Sequence, residues 1–190
     1  GILLFARNQV AAARLQKQRE EGKLQKKYLA LAEGDLSEAN DSVFWKEIAI
    51  PLAPDPENPM KMTISPDGLL PGSRNAVTYY KNIKSFGNVT LVELQLETGR
   101  THQIRVHMSG IGHPLLGDTM YNPGTCLNMS NSKEKKNTEG RINNRNDCFK
   151  RAALHAWKLT FCHPFTDEII TLEAPLPDDF CRFLNANEEE

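Results

Sequence analysis

Two strand-forming runs joined by a short turn and followed directly by a helical run constrain the fold of this chain more than any other feature. Residues 76–83 and 89–97 are rich in β-branched, aromatic and leucine side chains, and they predict an antiparallel hairpin with its turn at residues 85–88. Ile104, Met108 and Ile111 then recur at helical spacing, and they predict a helix over residues 101–111. A hairpin that leads into an isolated helix favours an α+β fold over alternating parallel units.

The N-terminal part of the chain predicts one helix between two strands. Residues 2–6 are apolar and predict a buried strand, and Asn8 can cap a helix that ends near residue 21. Residues 27–32 alternate between two faces in the manner of a strand. Six prolines within residues 51–75 predict turns and loops in place of a long element.

The C-terminal part predicts a second strand pair and a final helix. Residues 155–162 alternate clearly, residues 168–173 are the expected partner strand, and residues 178–184 predict a short helix. Residues 122–147 hold seven asparagines and few apolar side chains, which predicts a flexible polar insertion. We therefore expect one α+β domain over residues 1–190, with a mixed, mainly antiparallel sheet and flanking helices.

Charge is unevenly distributed along the chain, although the formal net charge is only −1. Residues 1–27 carry seven basic and two acidic side chains, and residues 71–110 carry five basic and two acidic ones. Recognition of phosphate depends on the local potential, so both blocks are compatible with a nucleic acid partner. Charge runs are also typical of ordinary solvated helix faces, and the charge pattern taken alone favours that alternative.

Cysteine usage and hydropathy exclude several classes of protein. The four cysteines form no Cys-x-x-Cys pair and are too sparse for a disulfide framework, which indicates free thiols in a reducing cytoplasm. The pair Cys162-His163 lacks the further ligands that a zinc site needs. No run of eighteen apolar residues predicts a transmembrane helix. We expect a cytoplasmic protein with no metal and no membrane partner.

The densest group of chemically active side chains lies in residues 96–107, at the predicted junction of strand and helix. The group contains two arginines, two histidines and two threonines, which are costly to bury without partners. Such junctions also present free backbone N–H groups that bind anions. One by one, His102 and His107 can be explained as core histidines and Arg100 as a surface charge. For the run as a whole this explanation is weak.

The run LETGRTHQIRVHMSGIGHPLLGD, residues 96–118, resembles the third motif of the RluA-type pseudouridine synthases, which isomerise uridine to pseudouridine in RNA. The segments GILLFARN at the start, KKYLALAEG at 26–34 and KRAALHAWKLTFCHP at 150–164 match successive blocks of the same family. The resemblance covers nearly the whole chain outside the proline-rich and asparagine-rich segments. It implies the pseudouridine synthase catalytic fold, no cofactor, a monomer, and RNA as partner, with ribosomal RNA favoured over transfer RNA.

The resemblance also implies roles for single residues. Arg105 corresponds to the arginine that pairs with the catalytic aspartate, Tyr28 to the tyrosine against the flipped base, and Leu154 to the apolar wall opposite. An extruded base needs such walls because they replace its lost stacking. The alternatives are a structural ion pair, a core tyrosine and a core leucine. Four polar side chains of the third motif are expected to bind the substrate: Arg100, Thr101, His102 and Gln103.

The family's nucleophilic aspartate has no counterpart in the chain. Gly1 matches the last glycine of the family's first motif, so the aspartate is expected a few residues upstream of Gly1. We therefore expect residues 1–190 to be a catalytic domain without its N-terminal part, and to be inactive alone. Two alternatives are an RNA-binding module with the same fold and no catalysis, and a small metal-dependent hydrolase built from the histidines and Cys162.

Overall fold

A computed structural model describes residues 1–36, 44–122 and 149–187. Eight strands and three helices lie within these ranges, and most of the sequence-based predictions for them are confirmed. In chain order, they are α1 Gln9–Glu20, β1 Gln25–Glu33, β2 Lys46–Ile48, β3 Leu52–Pro54, β4 Met62–Ile64, β5 Thr78–Ser85, β6 Val89–Leu96, α2 Gln103–Gly110, β7 Leu154–Cys162, β8 Ile169–Glu173 and α3 Asp178–Ala186.

Six of the strands form one sheet in the order β2-β5-β6-β1-β7-β8, and β3 pairs with β4 in a separate two-stranded sheet. All pairings between these described strands are antiparallel. The expected α+β class with a mainly antiparallel sheet is therefore confirmed. None of the helices in the described ranges is long and apolar enough to cross a membrane.

Strand β1 lies inside the large sheet and buries side chains on both faces, as its alternating sequence predicts. Leu31 packs in a cluster with Phe180 of α3. Ala30, which points the other way, packs in a second cluster with Met108 of α2. The sheet is thus covered by α3 on one face and by α2 on the other.

The predicted hairpin is formed by β5 and β6, whose register runs from Thr78 opposite Leu96 to Ser85 opposite Thr90. The buried Glu93 carboxylate on β6 accepts from Lys27 of β1 and Lys81 of β5, each at 2.9 Å. Burial by itself raises the pKa of Glu93, but these two ammonium groups lower it below its ordinary value. The carboxylate therefore links three adjacent strands as an anion.

Helix α1 begins at the predicted cap and is attached to the end of β7. Asn8 Oδ1 accepts from the backbone N–H of Ala11 at 2.8 Å, which satisfies one free donor of the first turn. The buried amide of Gln18 donates to the carbonyl oxygen of Cys162 at 2.8 Å and accepts from its N–H at 2.9 Å. Gln18 therefore satisfies both backbone groups of the last residue of β7.

One local prediction is wrong, and a second is incomplete. Residues 2–6 form no strand, and Leu3 and Phe5 are 75% and 76% exposed, because no neighbouring strand in the described chain covers them. The proline-rich stretch 51–75 contains the hairpin β3–β4, in which Leu52 pairs with Ile64 and is fully buried. Prolines permit this hairpin because Pro54 occupies a strand end, where a missing N–H costs little. Residues 123–147 of the predicted insertion lie outside the described residues.

Candidate active site

The start of α2 is fixed by the buried side chain of Gln103. Its Nε2 donates to the Val77 carbonyl at 2.9 Å and to Thr78 Oγ1 at 3.0 Å. Its Oε1 accepts from Thr98 Oγ1 at 2.8 Å and from the Arg100 N–H at 2.9 Å. The amide thus connects the turn before α2 to strand β5, and its polar atoms are engaged within the chain.

Arg105, in the first turn of α2, forms a two-point ion pair with Asp118. Its Nε and Nη2 donate to Asp118 Oδ2 and Oδ1, each at 2.7 Å. Burial raises the pKa of the fully buried Asp118 carboxyl, but the Arg105 fork and the N–H groups of Tyr121 and Met120 outweigh it and lower that pKa overall. Asp118 is therefore an anion, and the pKa of Arg105 is raised in return.

Tyr121 packs against the guanidinium of this pair. Its ring centroid lies 4.9 Å from Arg105 Cζ, within the range of a cation–π contact. Its hydroxyl lies 2.9 Å from His102 Nδ1 and accepts from the Met62 N–H at 3.0 Å. Burial, followed by the charge of Arg105, lowers the pKa of His102, so the neutral imidazole is favoured beside the arginine.

The loop that presents Asp118 depends on a glycine. Gly117 has φ +67°, and a Cβ there would lie 2.7 Å from the Phe149 Cβ and closer still to the Arg151 carbonyl oxygen. Any other residue would be strained in this left-handed conformation and would have no room for its side chain. The Gly-Asp pair at the end of the third motif is the sequence signal for this contact, and its link to Arg105 is absent from the sequence-based predictions.

Tyr28 and Leu154 lie on the face of the sheet that α2 covers. Both pack against the cluster that contains Ala30 and Ile104, and Leu154 is directly opposite Ala30 in the β1–β7 ladder. Burial raises the pKa of Tyr28, so its phenol is neutral. The cross-strand partner of Tyr28 is Ala156, whose carbonyl oxygen accepts from the N–H of Ile2 at 2.8 Å.

The other predicted substrate-binding residues differ in accessibility. Arg100 is half-buried and donates from Nε to the Asn75 carbonyl at 3.0 Å, while Thr101 is exposed beside it. His102 occupies the left-handed region with φ 55° at the start of α2. The fully buried His107 bonds to Thr78 Oγ1 and to the Ile50 carbonyl oxygen through its two ring nitrogens, each at 2.8 Å, as a core histidine does.

The family model for RNA pseudouridylate synthase matches residues 1–110, a range that includes Tyr28 and Arg105. This chain belongs to that family. The resemblance of the third motif and the expected fold are both confirmed by this assignment.

Several relatives match this chain over nearly its whole length. An RNA pseudouridine synthase of Bacillus subtilis strain 168, YhcT, is 38% identical over 181 residues, which cover 94% of the chain and 50% of the relative. Ribosomal large subunit pseudouridine synthase D of Haemophilus influenzae is 36% identical over 186 residues, which cover 98% of the chain and 52% of the relative. The chain therefore spans about half the length of these curated relatives.

Solved structures of the family match the fold of this chain. Human RNA pseudouridylate synthase domain containing 1 has a TM-score of 0.63 and 27% identity, over 90% of the chain and 62% of the human protein. Human RNA pseudouridylate synthase domain containing 4 has a TM-score of 0.66 and 25% identity, over 94% of the chain and 68% of the human protein.

The candidate site contains a carboxylate, but that carboxylate is unsuited to attack a nucleoside. Both oxygens of Asp118 accept hydrogen bonds, and its side chain is fully buried. Within the described ranges, no group of three or more His, Cys, Asp or Glu side chains could hold a metal ion. The roles of Arg105, Tyr28, Leu154 and the four polar residues remain predictions.

Proposed function

We propose that this domain, in a longer protein that supplies the nucleophilic aspartate, isomerises uridine to pseudouridine in structured RNA. The observation that carries the proposal is that α2 covers the same sheet face that Tyr28 and Leu154 occupy. The apolar side chains on this face, with the phenol of Tyr28 packed against them, suit a base that has left its helix. The Ile2 bond to Ala156 supports the entry of an upstream segment next to Tyr28.

The reaction is an exchange of two bonds at one carbon. A carboxylate forms a bond to C1′ as the bond from N1 of the base to C1′ breaks, and the base rotates. A bond from C5 to C1′ then forms as the bond between the carboxylate and C1′ breaks, the hydrogen on C5 leaves to solvent as a proton, and N1 takes up a proton. The sum is an isomerisation that needs no oxidant and no cofactor. Tyr28 lies against the base as one wall, and Leu154 forms the other.

We further propose ribosomal RNA as the substrate class, because several relatives are named for the large ribosomal subunit. The half-buried Arg100 and the exposed Thr101, at the turn before α2, are the proposed contacts to the RNA backbone. The protein would act as a monomer in the cytoplasm, where its RNA and a reducing environment for its thiols are found.

Tritium release from RNA that contains [5-³H]uridine tests the proposal. Because the C5 hydrogen is lost once per turnover, release counts product directly. We expect release by the longer protein and none by residues 1–190 alone, and we expect Arg105→Lys to abolish it. The matched control is Arg151→Lys, a change at an exposed arginine paired with Asp179. RNA binding without release by the longer protein would instead establish a binding module.

A further inference from the structure

One edge of the Arg105 guanidinium is occupied by Asp118, and another has no hydrogen-bond partner among the described residues. The pair Nε and Nη2 is filled by Asp118. A guanidinium has five N–H donors, and its end-on edge, between Nη1 and Nη2, can grip a second planar anion. Among the described residues, no hydrogen bond occupies Nη1, and the Arg105 side chain is 20% exposed. The arginine can therefore hold Asp118 and a second carboxylate at once.

One edge and one face of this guanidinium are covered by groups that are themselves anchored. Asp118 Oδ1 accepts from the N–H groups of Met120 and Tyr121, each at 3.1 Å. The Tyr121 ring covers one face of the guanidinium, and its carbonyl oxygen accepts from Ser109 Oγ of α2 at 2.9 Å. The loop of Asp118 and Tyr121 is thus attached to the same helix that carries Arg105.

We propose that Asp118 and Tyr121 are positioning residues that hold Arg105 with only its end-on edge available to the reacting aspartate. The inference rests on the proposed function, in which that aspartate comes from upstream of Gly1. Lost positioning reduces turnover because a reacting group displaced by about 1 Å can cost about 100-fold in rate. An ion pair with a purely structural role would change stability and leave the chemistry of the folded fraction intact.

The charge of Asp118 gives the proposal a second signature. Asp118 partly neutralises Arg105, so the reacting aspartate feels less than a full positive charge. Replacing Asp118 with asparagine exposes that charge, which lowers the pKa of the neighbouring aspartate. The other titratable groups around Arg105 in the described chain are His102 and Tyr121. The pKa of His102 also falls when Asp118 loses its charge. Because the pKa values of the reacting aspartate and of His102 both fall, the acid limb of the plot of kcat against pH moves to lower pH.

The test compares Asp118→Asn with Asp179→Asn in the longer protein. Asp179 forms an ion pair of the same chemistry with Arg151, at the start of α3 on the opposite face of the sheet. For Asp118→Asn we expect kcat to fall at least about tenfold with KM little changed, and the acid limb to move down by about 1 pH unit. For Asp179→Asn we expect neither change. Tyr121→Leu should lower kcat more than Tyr121→Phe, which keeps the ring on Arg105.

A second measurement follows the arginine directly in the 190-residue chain. The Arg105 Nε–H signal in ¹⁵N NMR should be protected from solvent exchange, and the protection should be lost in Asp118→Asn. Turnover by the wild type with an unchanged kcat and acid limb in Asp118→Asn would overturn the inference alone. No turnover by the wild-type longer protein would overturn the proposed function and this inference with it.

Discussion

Replacing Gly117 with alanine tests the tight contact behind the Asp118 loop. Gly117 has φ +67°, and a new Cβ would meet the Phe149 Cβ at 2.7 Å and the Phe149 carbonyl oxygen at 2.8 Å. The left-handed conformation costs an alanine about 1–2 kcal/mol. Overpacking against the backbone adds about 1–3 kcal/mol. The free energy of unfolding should therefore fall by about 2–5 kcal/mol.

Gly68→Ala is the matched control for Gly117→Ala. Gly68 has almost the same conformation, φ +71°, but nothing lies within 4 Å of its added Cβ. Only the backbone cost of about 1–2 kcal/mol applies there. The difference between the two variants thus isolates the close approach from the backbone strain.

Urea unfolding followed by tryptophan fluorescence measures both variants. Trp157 is a suitable reporter because it packs against the core cluster that contains Phe149. We expect Gly117→Ala to lose about 1–3 kcal/mol more than Gly68→Ala. Equal losses would refute the reasoning, because they would mean that Phe149 and its neighbours move aside without cost.

Three further predictions concern buried polar groups. Gln103→Leu should lower the free energy of unfolding by at least about 2 kcal/mol, since it leaves several buried partners unpaired. A fall in RNA affinity of the fully folded variant would instead support the predicted contact with substrate. Burial lowers the pKa of His107. The contribution of His107 to the free energy of unfolding is therefore complete above the unfolded pKa near 6.5, and it is lost as the pH falls through that value towards the lower folded pKa. Urea unfolding at pH 7 and pH 5 should show a smaller pH dependence for His107→Gln than for the wild type. The pKa of Glu93 is lowered by Lys27 and Lys81, so its stabilisation is present above the unfolded pKa near 4.5 and is lost as the pH falls through the folded pKa. Thermal unfolding should show a loss for Glu93→Gln at pH 7 that shrinks below pH 4.5, and a constant difference would contradict it.

The elements that could be predicted from the sequence are those whose own residues determine their structure. The hairpin and α2 carry apolar side chains at clear strand and helix spacing, and Asn8 caps α1 with its own oxygen. Residues 2–6 misled the prediction because an apolar run reads as a strand whether or not a neighbouring strand is present to pair with it. Strands β3 and β4 are short and proline-bounded, so their pairing depends on tertiary contacts that local patterns do not contain.

The candidate site was predictable in composition and only partly in geometry. The run 96–107 identified Arg105, and the alternation of β1 placed Tyr28 on a defined face. Its partner Asp118 was missed because the ion pair depends on how the chain turns after α2, and that turn requires the positive φ of Gly117. Gln103 was expected to face substrate, but its bonds connect two elements of the fold, a role that a polar motif alone does not reveal.

The position of β1 inside the sheet also determines when the domain can complete its folding. The β5–β6 hairpin closes across a short turn, whereas β1 needs β7, which lies near the other end of the chain. Pairing between distant segments is slow because the chain loses conformational entropy on loop closure before the stabilising contacts form. During synthesis from the N terminus, the sheet face that holds Leu31 stays uncovered until Phe180 of α3 has been synthesised. The nascent chain therefore presents an apolar sheet face until α3 has left the ribosome.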